Sequence, residues 1–394
     1  MNIAITCPAS LPATQFGGIL FLAVDLAREA SKKGNEVTLY TTNLDFANNA
    51  KTFSKKLPET ELIDGFTIKR SHVWFSLNLF FVNPKMYFQL MSGSPDIIHT
   101  IGVRSFQSII AAIVARKKKI PLVISDQGGL TTHPDLLSSG TFNRILYKIQ
   151  RPIIQFIVNN AAKISVANEY EKKIFEEFTD EPKIEIVRNG INLETMKTKT
   201  ENFKKKYGIE TSYILFVGRF SKVKGIDILL KAIQLLKNKQ KLNDFVCVIM
   251  GVDFGFEEKM FQMINELEIQ ENICVIKNPS RDDVIAAYRE SEFLVLPSRW
   301  ELSPLTPLEG FSFKKTVISS DTHGIPHTLD RDSNCILVEV ENITQLASTI
   351  LELIHDKDKK IKLGMAGFKR VTTELNSKTM VQKTLKIYEN LIQK

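Results

Sequence analysis

Two tandem α/β domains, each a doubly wound parallel sheet, are the architecture predicted by this 394-residue sequence. Three observations predict it. The chain is longer than one ordinary hydrophobic core holds. Apolar, strand-like runs alternate with helical patterns, as they do when helices flank parallel strands. The alternation also completes one series and then begins another. The expected domains are 1–195 and 196–375, with segment 376–394 returning as a helix to the first.

The first series opens with "NIAITC" (2–7), a helix near 17–33 ending at Gly34, and "EVTLYTT" (36–42). It continues through "IIHTI" (97–101), the apolar segment 106–115, "PLVISD" (121–126) and "KISVA" (163–167). The polar, lysine-rich stretch 194–211 is the expected join. The second series runs through "YILFVG" (213–218), a helix over 225–238, "FVCVIMG" (245–251), "ICVIK" (273–277), "FLVLPS" (293–298) and "TVISS" (316–320). Met380, Val381, Leu385, Tyr388, Leu391 and Ile392 recur at helical spacing in the last segment.

Composition narrows the function classes. With 43% hydrophobic and 24% charged residues the chain is of the soluble globular kind. No apolar run reaches the roughly 18 residues that span a bilayer; the stretch 76–91 is broken by Asn83, Pro84 and Lys85. "MNIAITCPAS" lacks the basic and long apolar regions of a secretory signal and reads as a first strand. Cys7, Cys247, Cys274 and Cys335 are scattered without a CxxC pair, which favours buried thiols in a reducing compartment over disulfides or zinc. No metal is expected. A net charge of +8 favours an anionic partner, whether phosphorylated small molecule, anionic membrane or nucleic acid.

Ligands of open parallel sheets bind beyond the carboxyl ends of the strands, so the residues there carry the functional reading. After the first strand, Gly17 and Gly18 open a helix, where paired glycines admit a ligand to free N–H groups. The spacing is not GxGxxG, and Tyr40, Thr41 and Thr42 close the second strand without an acid, which argues against a dinucleotide cofactor. In the second domain "VGRFSKVKG" puts Arg219 and Lys224 around a turn before a helix. A planar fork and a point charge at such a place suit a diphosphate. Gly251, Lys277 and Asn278 stand at the ends of the next two strands. "WELSPLTPLEG" (300–310) then brackets a turn with Glu301 and Glu309. A local reading of it is a capping box, with Thr306 as N-cap, Pro307 at the first helical position and Glu309 reaching back. Ser303 and Leu305 offer helix-start N–H groups; Pro304 has none.

Taken together, "FGG" after the first strand, "PDIIHTIG", "VRNGIN", "VGRFSKVKG" and the E-x7-E stretch "ELSPLTPLE" resemble a family 4 retaining glycosyltransferase of the GT-B fold, in the family's order and over most of the chain. The resemblance implies two Rossmann-like domains facing across a cleft. It also implies a nucleotide-diphosphate sugar as donor, a hexosyltransferase type of activity, and no cofactor. Arg219 and Lys224 match the cations that bind the diphosphate, and Gly17 and Gly18 the backbone that touches it. Glu301 would accept from the donor sugar's hydroxyls and Glu309 from the ribose. Ser303 and Leu305 would meet the phosphates, Gly251 would share the substrate-binding rim, and the base would rest near Lys277 and Asn278. Transfer would keep the anomeric configuration without an enzyme nucleophile.

The chain departs from the family in places. Glu301-Leu302-Ser303-Pro304 replaces Glu-Gly-Phe-Gly, which removes amide donors. Where relatives carry a His facing the donor sugar, Asp126 and Gln127 stand, with His133 farther on; these three are the expected acceptor or donor-sugar contacts. His327 reads as a surface or loop residue and His99 as a hydrogen-bonded core histidine. Basic residues at 115–121 and 204–206, and Arg144, Lys148 and Arg151 on the helix 142–161, with the aromatic stretch 74–88, suggest peripheral contact with an anionic membrane by a cytoplasmic protein. The acceptor is then a saccharide or a lipid-linked one. Two other readings stay open: a catalytically silent nucleotide-sugar-binding protein, and a nucleic-acid binder, for which no motif is present.

Overall fold

The apolar runs become the central strands of two sheets in a computed structural model of the chain. It describes residues 1–47, 51–77, 79–128, 130, 132, 141–238 and 245–393, with backbone alone for 141–148. By internal contacts the chain divides into Met1–Gly190 with Ser377–Lys394, and Ile191–Asn376. The division falls at 190/191 rather than at 195/196.

The first unit is built on an eight-stranded sheet. In spatial order its strands are Ile184–Ile186, Lys163–Val166, Leu122–Ser125, Ile97–Ile101, Asn2–Thr6, Glu36–Thr42, Phe66–Ser71 and Thr60–Ile63. All neighbours are parallel except the edge strand Thr60–Ile63, which runs antiparallel to Phe66–Ser71. Asn2–Thr6 and Ile97–Ile101 are buried along almost their whole length, as strands covered on both faces must be. The first helix is Gly18–Lys32, and it buries Leu22, Ala23, Leu26 and Ala30. The C-terminal helix Ser377–Ile392 packs against it through its apolar stripe. That stripe ends before Ile392, which is exposed.

Tyr388 on this helix places its hydroxyl 2.5 Å from His99 Nδ1, and His99 Nε2 lies 2.8 Å from Ser125 Oγ. Burial holds the imidazole down at about 3. His99 is therefore a neutral, hydrogen-bonded core residue, as the sequence suggested.

The second unit carries six parallel strands in the order Ile273–Lys277, Phe245–Gly251, Ser212–Val217, Phe293–Leu296, Thr316–Ser320, Cys335–Val338. Counted along the unit this is 3-2-1-4-5-6, the doubly wound arrangement. Two apolar clusters cover its faces, one including Phe216, Leu229 and Ile318, the other Tyr213, Phe311 and Val317.

One expectation needs correction, the capping box, and two other stretches fold into elements that the sequence did not single out. The stretch 194–211 is not a bare linker: it folds a short helix, Phe203–Tyr207, whose Phe203 is buried against Tyr213 with ring centroids 5.5 Å apart. One apolar residue among lysines gives little periodic signal. The capping box at 306–309 is absent, because the helix begins at Leu305 with Pro304 as N-cap and no side-chain cap. Pro307 is thus the third helical residue, where its missing N–H costs nothing, since the first four have no intrahelical acceptor. The stretch 76–91 divides into a hairpin, Phe75–Leu77 with Phe80–Val82, and the helix Lys85–Ser92.

The four cysteines are free thiols, and burial pushes Cys7 and Cys335 up to about 12. No helix among the described residues is long and apolar enough to cross a membrane.

Candidate active site

In the second unit the strand order reverses between Ser212–Val217 and its neighbour Phe293–Leu296. In open sheets of this kind, ligands bind in the crevice outside the carboxyl ends of the strands at such a reversal. Arg219 and Lys224 are on the first loop, and Glu301 is on the second. The Lys224 ammonium donates to Glu301 Oε1 at 2.5 Å, although the residues are 77 apart in sequence. The fully buried Ser298 hydroxyl donates to the same oxygen at 2.9 Å. Among the described residues Glu301 Oε2 receives no hydrogen bond, and the residue is 7% exposed. One carboxylate oxygen is thus anchored and the other remains an acceptor.

Backbone packing fixes the lysine. Residues Lys222–Lys224 form a 3-10 turn closed by Lys224 N–H to Ser221 and Gly225 N–H to Lys222. Gly225 has φ +69, and a Cβ there would sit 2.0 Å from the Pro297 carbonyl oxygen. Only glycine allows this turn to rest on the neighbouring loop. Arg299 braces the same turn. It holds Asp227 bidentately at 2.8 Å through each terminal nitrogen and donates to the Lys222 carbonyl at 2.7 Å.

Arg219 lies between two zipped loops. Gly218 N–H donates to Met250 and Phe220 N–H to Val252, and the guanidinium lies over the Phe254 ring at 4.9 Å. Gly251 allows this approach, since a Cβ there would meet the Gly218 oxygen at 1.8 Å. Both expected cations therefore stand at the carboxyl end of the strand Ser212–Val217.

Glu309 is held differently. Its Oε1 accepts from Arg281 at 2.6 Å and its Oε2 from the Tyr288 hydroxyl at 2.8 Å, a buried acid with both oxygens oriented. Each oxygen keeps a second lone-pair direction. Ser303 Oγ accepts from Thr328 Oγ1 at 3.4 Å, and Leu305 opens the helix. Lys277, expected beside a base, instead pairs with Glu257 at 3.0 Å. Asn278 takes a left-handed φ of 51 and donates its N–H to Gly251.

The first unit shows the other expected residues. Gly17 takes φ 96 as N-cap of the first helix, in a conformation open to glycine, with open space where a Cβ would be. Asp126 departs from the expected sugar contact. It is buried, and its carboxylate accepts the N–H groups of Val103 (3.2 Å), Gly128 (3.0 Å) and Leu130 (2.8 Å). A short acid after a strand is well suited to closing a turn in this way. Gln127 exchanges two amide hydrogen bonds with Asn189, at 3.0 and 2.8 Å. His133 lies outside the described residues, as do the side chains of Arg144 and Lys148. Arg151 stacks on Phe178 at 5.1 Å.

Next to Asp126 stands Glu171, which the sequence did not single out. Its oxygens accept from Ala167 N–H (2.5 Å) and Gln127 N–H (3.3 Å). Burial, and then the Asp126 charge, push it up to about 8. The native state thus keeps a proton that the unfolded chain releases above about 4.3. Stability from this group is complete below that value and is lost as pH rises through about 8. We expect Glu171→Gln, which cannot titrate and keeps one of the two acceptor oxygens, to flatten the fall in urea midpoint between about pH 5 and pH 8. An unchanged slope would rule out this assignment.

Comparison with known proteins completes the picture. Residues 16–195 match the family described as Glycosyltransferase Family 4, and residues 199–370 match Glycosyl transferases group 1. The chain is a family 4 glycosyltransferase. A glycosyltransferase of Methanocaldococcus jannaschii, itself named as uncharacterized, is 26% identical over 292 residues, 72% of this chain and 73% of that protein. The UDP-Gal:alpha-D-GlcNAc-diphosphoundecaprenol alpha-1,3-galactosyltransferase of Escherichia coli is 23% identical over 279 residues, 69% and 70% of the two chains. The solved structure of Anabaena HepE in complex with UDP and glucose shares the fold at TM-score 0.77 and 16% identity, over 98% of this chain and 99% of that one. The fold is GT-B.

In this glycosyltransferase, sequence reasoning found the charged groups and missed their supports. Arg299, Arg281 and Tyr288 touch the Lys222–Lys224 turn or Glu309 across long sequence separations, and Ser298 reaches Glu301 from three residues away. Arg299 gave one local hint, by standing two residues before Glu301. Gly324 gave none. A Cβ on it would fall 1.6 Å from the Leu302 carbonyl oxygen, and its N–H donates to the Glu301 carbonyl at 3.0 Å. Among the described residues no three His, Cys, Asp or Glu side chains group as metal ligands do.

Proposed function

We propose that this glycosyltransferase moves a sugar, with retention and without a metal, from a nucleotide-diphosphate sugar to a saccharide or lipid-linked acceptor. The observation that carries the reading is the Lys224–Glu301 pair at the strand-order reversal, with Arg219 on the same rim. In the reaction the C1–O bond to the diphosphate breaks and a C1–O bond to the acceptor forms on the same face. The departing phosphate oxygen takes the acceptor's proton. Negative charge grows on the diphosphate, where Arg219, Lys224 and the N–H groups at Ser303 and Leu305 meet it, and such preorganised groups stabilise it. Positive character grows on the sugar, beside the Glu301 carboxylate. Glu309 takes the ribose hydroxyls.

A uridine diphosphate sugar is the proposed donor, supported by UDP in the HepE complex and by the UDP-Gal of the Escherichia coli relative's name. The product belongs to glycan, surface-polysaccharide or glycolipid synthesis. The protein works at the cytoplasmic face of a membrane, which its first unit contacts peripherally. The test is thermal unfolding against a panel of nucleotide-sugars in EDTA. At ligand about 100-fold above Kd, mass action adds about 2.7 kcal/mol, so at least one uridine diphosphate sugar should raise the melting temperature by several degrees. No stabilisation by any member would overturn the reading. Slow donor hydrolysis by the wild type, lost in Glu301→Gln, separates an enzyme from a silent binder.

A further inference from the structure

The hairpin Phe75–Leu77 with Phe80–Val82 forms its own two-stranded sheet, apart from the eight-stranded one. Its register pairs Phe75 with Val82, Ser76 with Phe81 and Leu77 with Phe80. Side chains alternate across a strand pair, so Ser76 and Phe81 share one face while the other two pairs share the opposite face. The Phe81 face is packed inward, with its ring 6.1 Å from Phe16 and 5.3 Å from Phe53. The opposite face is covered in part: Phe80 and Val82 are half-buried, with the Phe80 ring 6.1 Å from Phe106, while the strand Phe75–Leu77 is left to solvent. Phe75 and Leu77 are exposed there, Leu79 is exposed in the turn, and Trp74 just before the hairpin is 74% exposed. A solvated protein seldom presents aromatic side chains together in this way without a partner.

Basic side chains accompany them. Phe88, exposed on the helix Lys85–Ser92, sets its ring 5.3 Å from Tyr87. Lys117 lies over the Tyr87 ring at 5.8 Å and reaches its hydroxyl at 3.1 Å. Arg116, Lys117 and Lys119 are exposed at the end of the helix Phe106–Lys118, which packs against Lys85–Ser92. Charge is divided unequally between the units. The first holds 26 Lys and Arg against 18 Asp and Glu, and the second 26 against 26. All of the net +8 belongs to the unit that presents the hairpin.

We propose that this face docks on an anionic lipid bilayer, with the hairpin aromatics entering the interface and the Arg116–Lys119 cluster meeting headgroup phosphates. Tryptophan and phenylalanine settle at the headgroup level, and basic residues add attraction to anionic lipid. A second copy of the chain is disfavoured as occupant, because it would oppose like-charged surfaces. The assignment deepens the peripheral membrane contact proposed above and rests on it.

Co-sedimentation of the full chain with vesicles tests it, using phosphatidylcholine alone and phosphatidylcholine with phosphatidylglycerol. Wild type is expected to bind the anionic vesicles and to leave the neutral ones largely unbound. Trp74 is exposed while Trp300 is 8% exposed, so a blue shift of tryptophan emission on binding reports the hairpin. Joint Phe75→Ser and Leu77→Ser, which keep Trp74 as the reporter, should reduce the shift and weaken binding. Joint Arg116→Gln, Lys117→Gln and Lys119→Gln should weaken it by roughly tenfold or more. Both variants should keep the wild-type circular dichroism and UDP affinity.

Wild type that ignores anionic vesicles overturns both the membrane contact and this surface. Wild type that binds while the hairpin variant binds equally, with unmoved emission, overturns the surface alone. A lipid-free dimer lost in the hairpin variant would make the face a protein interface and overturn it as well. No donor is present, so the result is independent of sugar transfer.

Discussion

Glu301→Gln should lower kcat by about 10²–10³, the usual loss when one preorganised electrostatic group is removed, while the fold persists. In the native site Oε1 accepts from Lys224 and Ser298. A glutamine keeps those two donors satisfied only by presenting its oxygen to them. Its NH2 group then points where the carboxylate Oε2 stood. A sugar hydroxyl meets a donor in place of an acceptor, and the developing positive character loses a neighbouring charge. In the proposed function Arg219 and Lys224, rather than Glu301, hold the diphosphate, so KM should change far less than kcat. Steady-state kinetics alongside circular dichroism separate the two effects. Unchanged turnover would remove Glu301 from the chemistry.

Gly324→Ala should harm the same site from behind. Its φ of −81 suits any residue, so the effect comes from space alone. The new methyl would lie 1.6 Å from the Leu302 carbonyl oxygen, an impossible separation that forces one loop to move. The contact atom is backbone and cannot rotate away. Overpacking usually costs about 1–3 kcal/mol, which lowers the melting temperature by several degrees for a unit of this size. The displaced segment carries Glu301, because Gly324 N–H donates to the Glu301 carbonyl. We expect kcat to fall by at least roughly tenfold, as misplacement of a catalytic group does. A variant with wild-type melting and turnover would show that the 301–303 loop absorbs the change without consequence.

These two residues mark the boundary of what the sequence conveyed. The long buried parallel strands were legible because burial on both faces leaves continuous apolar runs. Phe66–Ser71 carries Lys69 and Arg70 within it, so it does not stand out by pattern. Arg219, Lys224, Glu301 and Glu309 were legible because each stands at a predictable strand end or turn. Their pairing was not, since a contact across 77 residues has no local signature. Asp126 misled for a related reason. A strand-end acid fits equally well as a sugar contact or as the acceptor of three backbone N–H groups, and only tertiary placement decides. Gly324 is required by the approach of another loop, about which its neighbours in sequence say nothing.

The most direct measurement of the central claim is calorimetric titration of UDP into the full chain in EDTA, for wild type and Lys224→Ala. The account predicts metal-free binding by the wild type. It predicts a loss of at least roughly tenfold in the variant, because a charge-assisted hydrogen bond is worth about 1.5–3 kcal/mol and its removal also leaves Glu301 unmasked beside the diphosphate. Equal affinity in the two proteins would contradict it, since the ammonium that meets Glu301 would then play no part in holding the nucleotide.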